Sequence, residues 1–143
     1  IYLSDMTPLL AENGFGPVER DASNGEANQG DGVQITLNGT GYGKGLGTHA
    51  PSDIRYDLGG SCSAFAADVG VDDEAGTYGA LSFEVWGDGN LLFDSGPLTG
   101  DDPPLPVHIG IAGVHELRLV VTDGGDWTDY DHADWADARV ACP

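Results

Sequence analysis

The sequence predicts an all-β domain, a β-sandwich or jelly roll of about eight mainly antiparallel strands, on three observations. Apolar residues recur with period two in one run after another, as half-buried strands require. Turn formers punctuate those runs, with 23 Gly and 8 Pro in 143 residues. No helical periodicity, heptad or internal repeat competes with the strand pattern.

Along the chain, Val33, Ile35 and Leu37 alternate with polar residues, and so do Ile54, Tyr56 and Leu58. Phe65, Ala67, Val69 and Val71 make one face of a longer run, and Phe83 and Val85 begin another. Leu91-Leu92-Phe93 is a short apolar strand. Leu105, Val107, Ile109 and Ile111 form a further face, then Leu117, Leu119 and Val121, and Ala138, Val140 and Cys142 close the chain. Asp57-Leu58-Gly59-Gly60-Ser61 reads as a hairpin, and Gly87-Asp88-Gly89-Asn90 as a two-residue turn. Gly100-Asp101-Asp102-Pro103-Pro104 breaks any element. Residues 7–32 are polar and irregular, long for a loop, and are expected to be functional or to carry a short helix over residues 7–13.

The length fits one domain, residues 1–143, large enough to bury a core. Its abrupt start at Ile1-Tyr2-Leu3 reads as a module excised from a larger secreted enzyme, and no signal peptide is visible. With 24 Asp and Glu against 5 Lys and Arg, the net charge is -19. That charge argues against nucleic acid or an anionic membrane as partner. No apolar segment approaches the ~20 residues of a membrane helix. The two cysteines, Cys62 and Cys142, suit one disulfide in a secreted, extracellular protein, the alternative being two free buried thiols.

Topology then gathers a site. A hairpin at Gly59-Gly60 sets residues 54–58 antiparallel to residues 62–71. A Cys62–Cys142 bridge sets the last strand antiparallel to the same run. Residues 43–53, 72–79 and 123–134 then meet at one pole, with the hairpin and disulfide at the other. Cys62 is out of phase with the inward set beginning at Phe65, so a bulge is expected between Ser61 and Ala64.

The gathered segments are rich in site chemistry. From Thr122 to Trp135 the chain carries Asp123, Asp126, Trp127, Asp129, Tyr130, Asp131, His132, Asp134 and Trp135. Carboxylates accept hydrogen bonds from hydroxyls or bind hard cations, and flat rings stack on apolar faces. A sugar, a Ca²⁺ ion, or both fit that inventory. His49, between loop breakers in Gly47-Thr48-His49-Ala50-Pro51, has no evident packing role. The run from Gly39 to Gly47 lacks the Walker spacing and is read as a tight turn, not a phosphate loop.

The ordered blocks Tyr2-Leu3-Ser4-Asp5, Gly16-Pro17-Val18-Glu19-Arg20-Asp21, Gly45-Leu46-Gly47-Thr48-His49-Ala50, Gly70-Val71-Asp72-Asp73-Glu74 and Asp131-His132-Ala133-Asp134-Trp135-Ala136-Asp137-Ala138 resemble the NPCBM family of carbohydrate-binding modules. The resemblance implies a galactose-binding-domain-like β-sandwich. It also implies a non-catalytic accessory module of secreted glycoside hydrolases that recognises galactose-containing glycans, often with a structural Ca²⁺. Such a module is monomeric and covalently linked to its catalytic domain, which it holds near the polysaccharide. Carried over residue by residue, Glu19, His49, Asp73, Asp134 and Trp135 are the expected sugar contacts, and Asp123 and Asp131 the expected metal ligands. Phe15 stands where related sequences are expected to carry tryptophan.

Two other readings are open at this point. A Ca²⁺-dependent adhesion or structural β-sandwich would use Asp123, Asp131 and Asp134 as ligands. A small glycoside hydrolase would use two carboxylates as acid and base, although the chain is short for an enzyme cleft.

Overall fold

A computed structural model describes residues 1–25, 28, 30–75, 80–123 and 132–143. Thirteen strands are assigned among them: β1 Leu10–Glu12, β2 Glu19–Arg20, β3 Ile35–Leu37, β4 Thr40–Tyr42, β5 Gly45–His49, β6 Ser52–Asp57, β7 Ala64–Val71, β8 Ala80–Gly87, β9 Asn90–Asp94, β10 Leu98–Thr99, β11 Leu105–Gly110, β12 Glu116–Thr122 and β13 His132–Ala141. Short 3-10 turns at Leu3–Asp5 and Asp73–Ala75 are the helical elements of the described residues.

Two antiparallel sheets form the sandwich expected from the alternation. One has the order β1-β6-β12-β8-β10 with β9 also paired to β8, and the other β11-β7-β13-β5-β2. Their facing residues fill one core: Ile54, Tyr56, Leu117, Leu119, Phe83 and Val85 from the first sheet, Leu46, Phe65, Ala67, Val69 and Trp135 from the second. Period two places these side chains inward and their neighbours outward. The small β3–β4 hairpin lies on the outer face of the second sheet, where Ile35, Leu37 and Tyr42 pack on Ala136 as a second apolar cluster.

Three local expectations are corrected. Gly59 and Gly60 do turn the chain, with φ of 63° and 78°. However, β6 and β7 lie in different sheets, so the turn is a crossing between layers and not a hairpin. Alternation cannot separate these cases, because strands facing each other across a core and strands side by side bury the same residues. Residues 7–13 contain β1, paired to β6 through Leu10↔Arg55 and Glu12↔Asp53, and no helix. Pairing to a sheet edge overrides the weak local preference. No bulge interrupts Ser61 to Ala64: Cys62 sits buried in the lead-in to β7, and the register shift lies on β13 between Ala136 and Arg139.

The convergence at one pole holds despite the hairpin error, since β6 and β7 still run oppositely. His49 pairs with His132, Ala133 with Val71, and Val121 with Ser52. Cys62 and Cys142 form a disulfide at the far ends of β7 and β13.

Candidate functional site

The five expected sugar contacts divide by depth. Glu19, on β2 opposite Gly47, is buried, and its carboxylate accepts the Gly30 N–H at 3.1 and 2.7 Å. It anchors the loop after β2. Asp73 is exposed, yet its two oxygens accept the N–H groups of Asn38 at 2.7 Å and Gly39 at 2.8 Å. It ties the β3–β4 turn to the end of β7. Trp135 is 0% exposed, its ring edge-on to Phe83 at 5.0 Å and Phe65 at 6.2 Å. The stacking ring expected there is core, because β13 begins at His132 and phase puts Trp135 inward.

Asp134, its neighbour, points to the other side of the sheet and is also 0% exposed. It lies between Gly47 and Gly70 on the flanking strands, under the segment that covers this face. A Cβ at Gly47 would collide with the Ala22 carbonyl, so only glycine lets that segment lie so close. No donor of the described protein reaches either Asp134 oxygen, while the Asp72 carboxyl is within hydrogen-bonding reach. Burial first, then the bond to Asp72 and the charges of Asp72, Glu74 and Asp73, hold Asp134 well above the usual carboxylate range. A proton on Asp134 accounts for both observations: the pair becomes a donated hydrogen bond. Asp72 is the acceptor, already fixed by N–H bonds from Thr36 at 3.3 Å and Glu74 at 3.0 Å.

His49 ends β5 at the pole and is buried. Its Nδ1 lies 2.8 Å from the Ala50 carbonyl, which can only accept, so Nδ1 carries the proton. His132 Nδ1 likewise donates to the Glu74 carboxylate at 2.9 Å. The two imidazoles stand 5.2 Å apart, and Phe15 closes the row edge-on to His49 at 4.8 Å.

Phe15 is 45% exposed and stands on a loop built for rigidity. Asn13 Nδ2 donates to the carbonyls of Phe15, Gly16 and Pro17 at 2.8, 3.2 and 3.3 Å, and Asn13 Oδ1 accepts the His49 N–H at 2.8 Å. From below, the buried Asn24 Nδ2 donates to the Phe15 and Pro17 carbonyls at 2.9 and 3.1 Å. Gly14 fits against Ala50, where any Cβ would strike the carbonyl oxygen. This loop lies within residues 7–32, the polar stretch expected to be irregular. Its one local signal was Asn13, two residues before Phe15, whose amide can satisfy several turn carbonyls.

A groove of about 560 Å³ opens beside this cluster, lined at the pole by Asn13, Gly14, Pro51, Ser52, Thr122 and Asp123. That volume lies within the usual range for small-ligand sites, ~300–1,000 Å³. Asp123 is thus placed at the site, whereas Asp131 and Trp127 lie outside the described residues. Among the described residues, no cluster of three or more His, Cys, Asp or Glu is arranged to hold a metal ion.

The comparisons with known proteins agree with this fold. A family model described as the NPCBM/NEW2 domain matches residues 1–141. The chain is 42% identical over 142 residues to the "Putative endo-alpha-N-acetylgalactosaminidase" of Renibacterium salmoninarum, covering 99% of this chain and 9% of that protein. It therefore spans about a tenth of that relative's length. Among solved structures, CBM51 from Clostridium perfringens GH95 in complex with methyl-galactose superposes with TM-score 0.89 at 42% identity, covering 99% of both chains. CBM51-2 in complex with GlcNAc, with INT domains, from Clostridium perfringens ZmpB superposes with TM-score 0.88 at 30% identity, covering 99% of this chain and 31% of that one.

Proposed function

The chain belongs to the NPCBM/NEW2 domain family, and on that premise we propose that it is a non-catalytic carbohydrate-binding module for galactose-containing glycans, acting as the extracellular targeting domain of a larger glycoside hydrolase. One observation carries the reading: the exposed Phe15, its carbonyl held by Asn13 and Asn24 and its ring set against His49, adjoins Asn13 and Gly14 of a groove whose polar lining includes the carboxylates Glu12, Asp53 and Asp123. The apolar face of a pyranose stacks on the ring. Its hydroxyls donate to Glu74 and Asp123, and their oxygens accept from donors at the rim. The buried residues Glu19, His49, Asp134 and Trp135, with the exposed Asp73, enter this proposal as the frame that sets the rim, with His49 supporting Phe15 directly.

The likeness to a methyl-galactose-bound module of 42% identity supports the choice of sugar. The small coverage of the relative supports the role as one part of a longer enzyme. No helix of the described residues is long and apolar enough to cross a membrane. A shallow site burying few atoms gives weak affinity for one sugar, ~10 µM to mM. Calorimetry with methyl galactoside tests the proposal: saturable binding in that range supports it, and no binding by folded protein ends it. Aryl-galactoside turnover by the isolated chain would overturn the non-catalytic part.

The proposal includes a structural Ca²⁺ with Asp123 and Asp131 as its carboxylates. Binding to the native state alone stabilises it by RT ln(1 + [L]/Kd). Chelator should then lower the melting temperature, and an unchanged melting temperature removes the ion from the account.

A further inference from the structure

We propose that the groove carries a second saccharide subsite, on the outer face of the six-stranded sheet around Val120, for the sugar that follows a terminal galactose. The inference rests on the carbohydrate reading above, but its observations are separate. Beyond Thr122 the groove continues onto the sheet, where it is lined by Glu12, Asp53 and Val120. The register places these three side by side on β1, β6 and β12, through Glu12↔Asp53 and Val120↔Asp53. Val120 points outward, because its neighbours Leu119 and Val121 are both buried in the core. The result is a half-buried apolar floor with a carboxylate wall. Its width across two strand spacings is ~10 Å, enough for one pyranose ring.

The wall is pre-set. Asp53 accepts from Arg118 Nε at 3.1 Å and Nη2 at 2.9 Å, and from Arg55 Nη2 at 3.1 Å. These guanidiniums outweigh the effect of burial and keep the Asp53 carboxyl below its ordinary value. Arg118 is in turn laid over the Trp86 ring at 5.8 Å. With both oxygens already met by guanidinium N–H groups, Asp53 is a fixed, neutralised wall for a ring to pack beside, and Glu12 at the exposed edge is the acceptor left for a hydroxyl.

The same features select the occupant. An apolar floor beside acceptors matches a neutral ring with a C–H face and O–H edges. Anionic sugars are disfavoured by Glu12, Asp123 and the net charge of -19. Asp53, held between two guanidiniums, has no need of a cation. Continuity with the pole sets the order, with galactose against Phe15 and the next unit over Val120.

Calorimetry with methyl galactoside and with a galactose-terminated neutral trisaccharide tests this, using wild type and Val120→Arg, which fills the floor without touching the core. Wild type should bind the trisaccharide roughly 5- to 10-fold more tightly than the monosaccharide, a gain of about 1–1.4 kcal/mol. Val120→Arg should abolish that gain and leave methyl galactoside affinity unchanged. If Val120→Arg fails to fold, Glu12→Ala at the exposed sheet edge should remove about half the gain. Equal wild-type affinities for the two sugars, or the full gain retained in either folded variant, overturns the subsite. Loss of methyl galactoside binding in Val120→Arg also overturns it, since the first sugar would then sit on Val120. Wild type that binds neither sugar overturns the carbohydrate reading itself.

Discussion

The rings of Phe15 and His49 meet edge to face, with centroids 4.8 Å apart and planes at 84°. His49 is fixed by the Ala50 carbonyl and by Asn13, so Phe15 inherits a fixed orientation without being buried. An exposed aromatic that has already lost its rotamer freedom is an efficient stacking surface. The account of function turns on this relationship.

Phe15→Ala should weaken methyl galactoside binding roughly 3- to 10-fold, the equivalent of an aromatic contact worth about 0.5–1.5 kcal/mol. Because the ring is 45% exposed, the melting temperature should barely move. Phe15→Trp should raise the affinity through a wider face. Calorimetry paired with thermal melts checks both.

Asn13→Ala should reduce binding as strongly as Phe15→Ala although Asn13 acts through the loop it clamps. Its amide serves three carbonyls and its oxygen one N–H. Losing bonds worth about 1 kcal/mol each should also lower the melting temperature by about 3–8 °C. Faster amide exchange at residues 14–17 would distinguish loop release from loss of a direct contact.

Asp134→Asn should stabilise the protein at neutral pH. Its carboxyl titrates well above the ordinary 3.8 in the folded state, so the native form keeps a proton that the unfolded chain releases. Its contribution is therefore fully present below pH 3.8 and is lost as pH rises through the folded value. Asp53 has the opposite sign: its depressed value adds stability that is lost as pH falls below 3.8. The difference between wild-type and Asp134→Asn urea midpoints isolates the first effect. It should grow in favour of the variant as pH rises from 4, and a constant difference would contradict the shared proton.

Trp135→Ala should cost about 3–5 kcal/mol, as large aromatic truncations in cores do. Wherever the variant remains folded, galactoside affinity should stay within about twofold of wild type. Affinity that falls while the fold is retained would return Trp135 to the contact surface.

Replacing both Cys62 and Cys142 by alanine should cost roughly 4 kcal/mol in the chain-entropy picture, given their sequence separation of 80. The bridge lies at the pole opposite the groove, so sugar binding should survive at low temperature.

Much of the fold was legible because alternation reports burial directly. Phe65, Ala67, Val69 and Val71 all face the core as expected, and Asp88-Gly89 makes the expected tight turn with φ of 49° and 83°. Alternation was silent on partners, which is why the Gly59-Gly60 crossing between sheets read as a hairpin. Residue chemistry found the pole but misjudged depth. Trp135 and Asp134 are adjacent on a strand with both faces covered, so one packs in the core and the other is buried on the opposite face. A ring or carboxylate at a strand start has the same letter whether it faces solvent or interior. Phe15 was noticed for its identity, whereas its placement depends on a hydrogen bond from Asn24 and a ring contact with His49, which no local pattern encodes.

A titration of the isotope-labelled protein with methyl galactoside, followed by backbone amide shifts, tests the central claim most directly. The account predicts that the largest shifts fall on residues 13–16, 49–52 and 122–123, with the disulfide pole around Cys62 and Asp88 unmoved. Shifts centred on that opposite pole, or none at millimolar sugar, would contradict it.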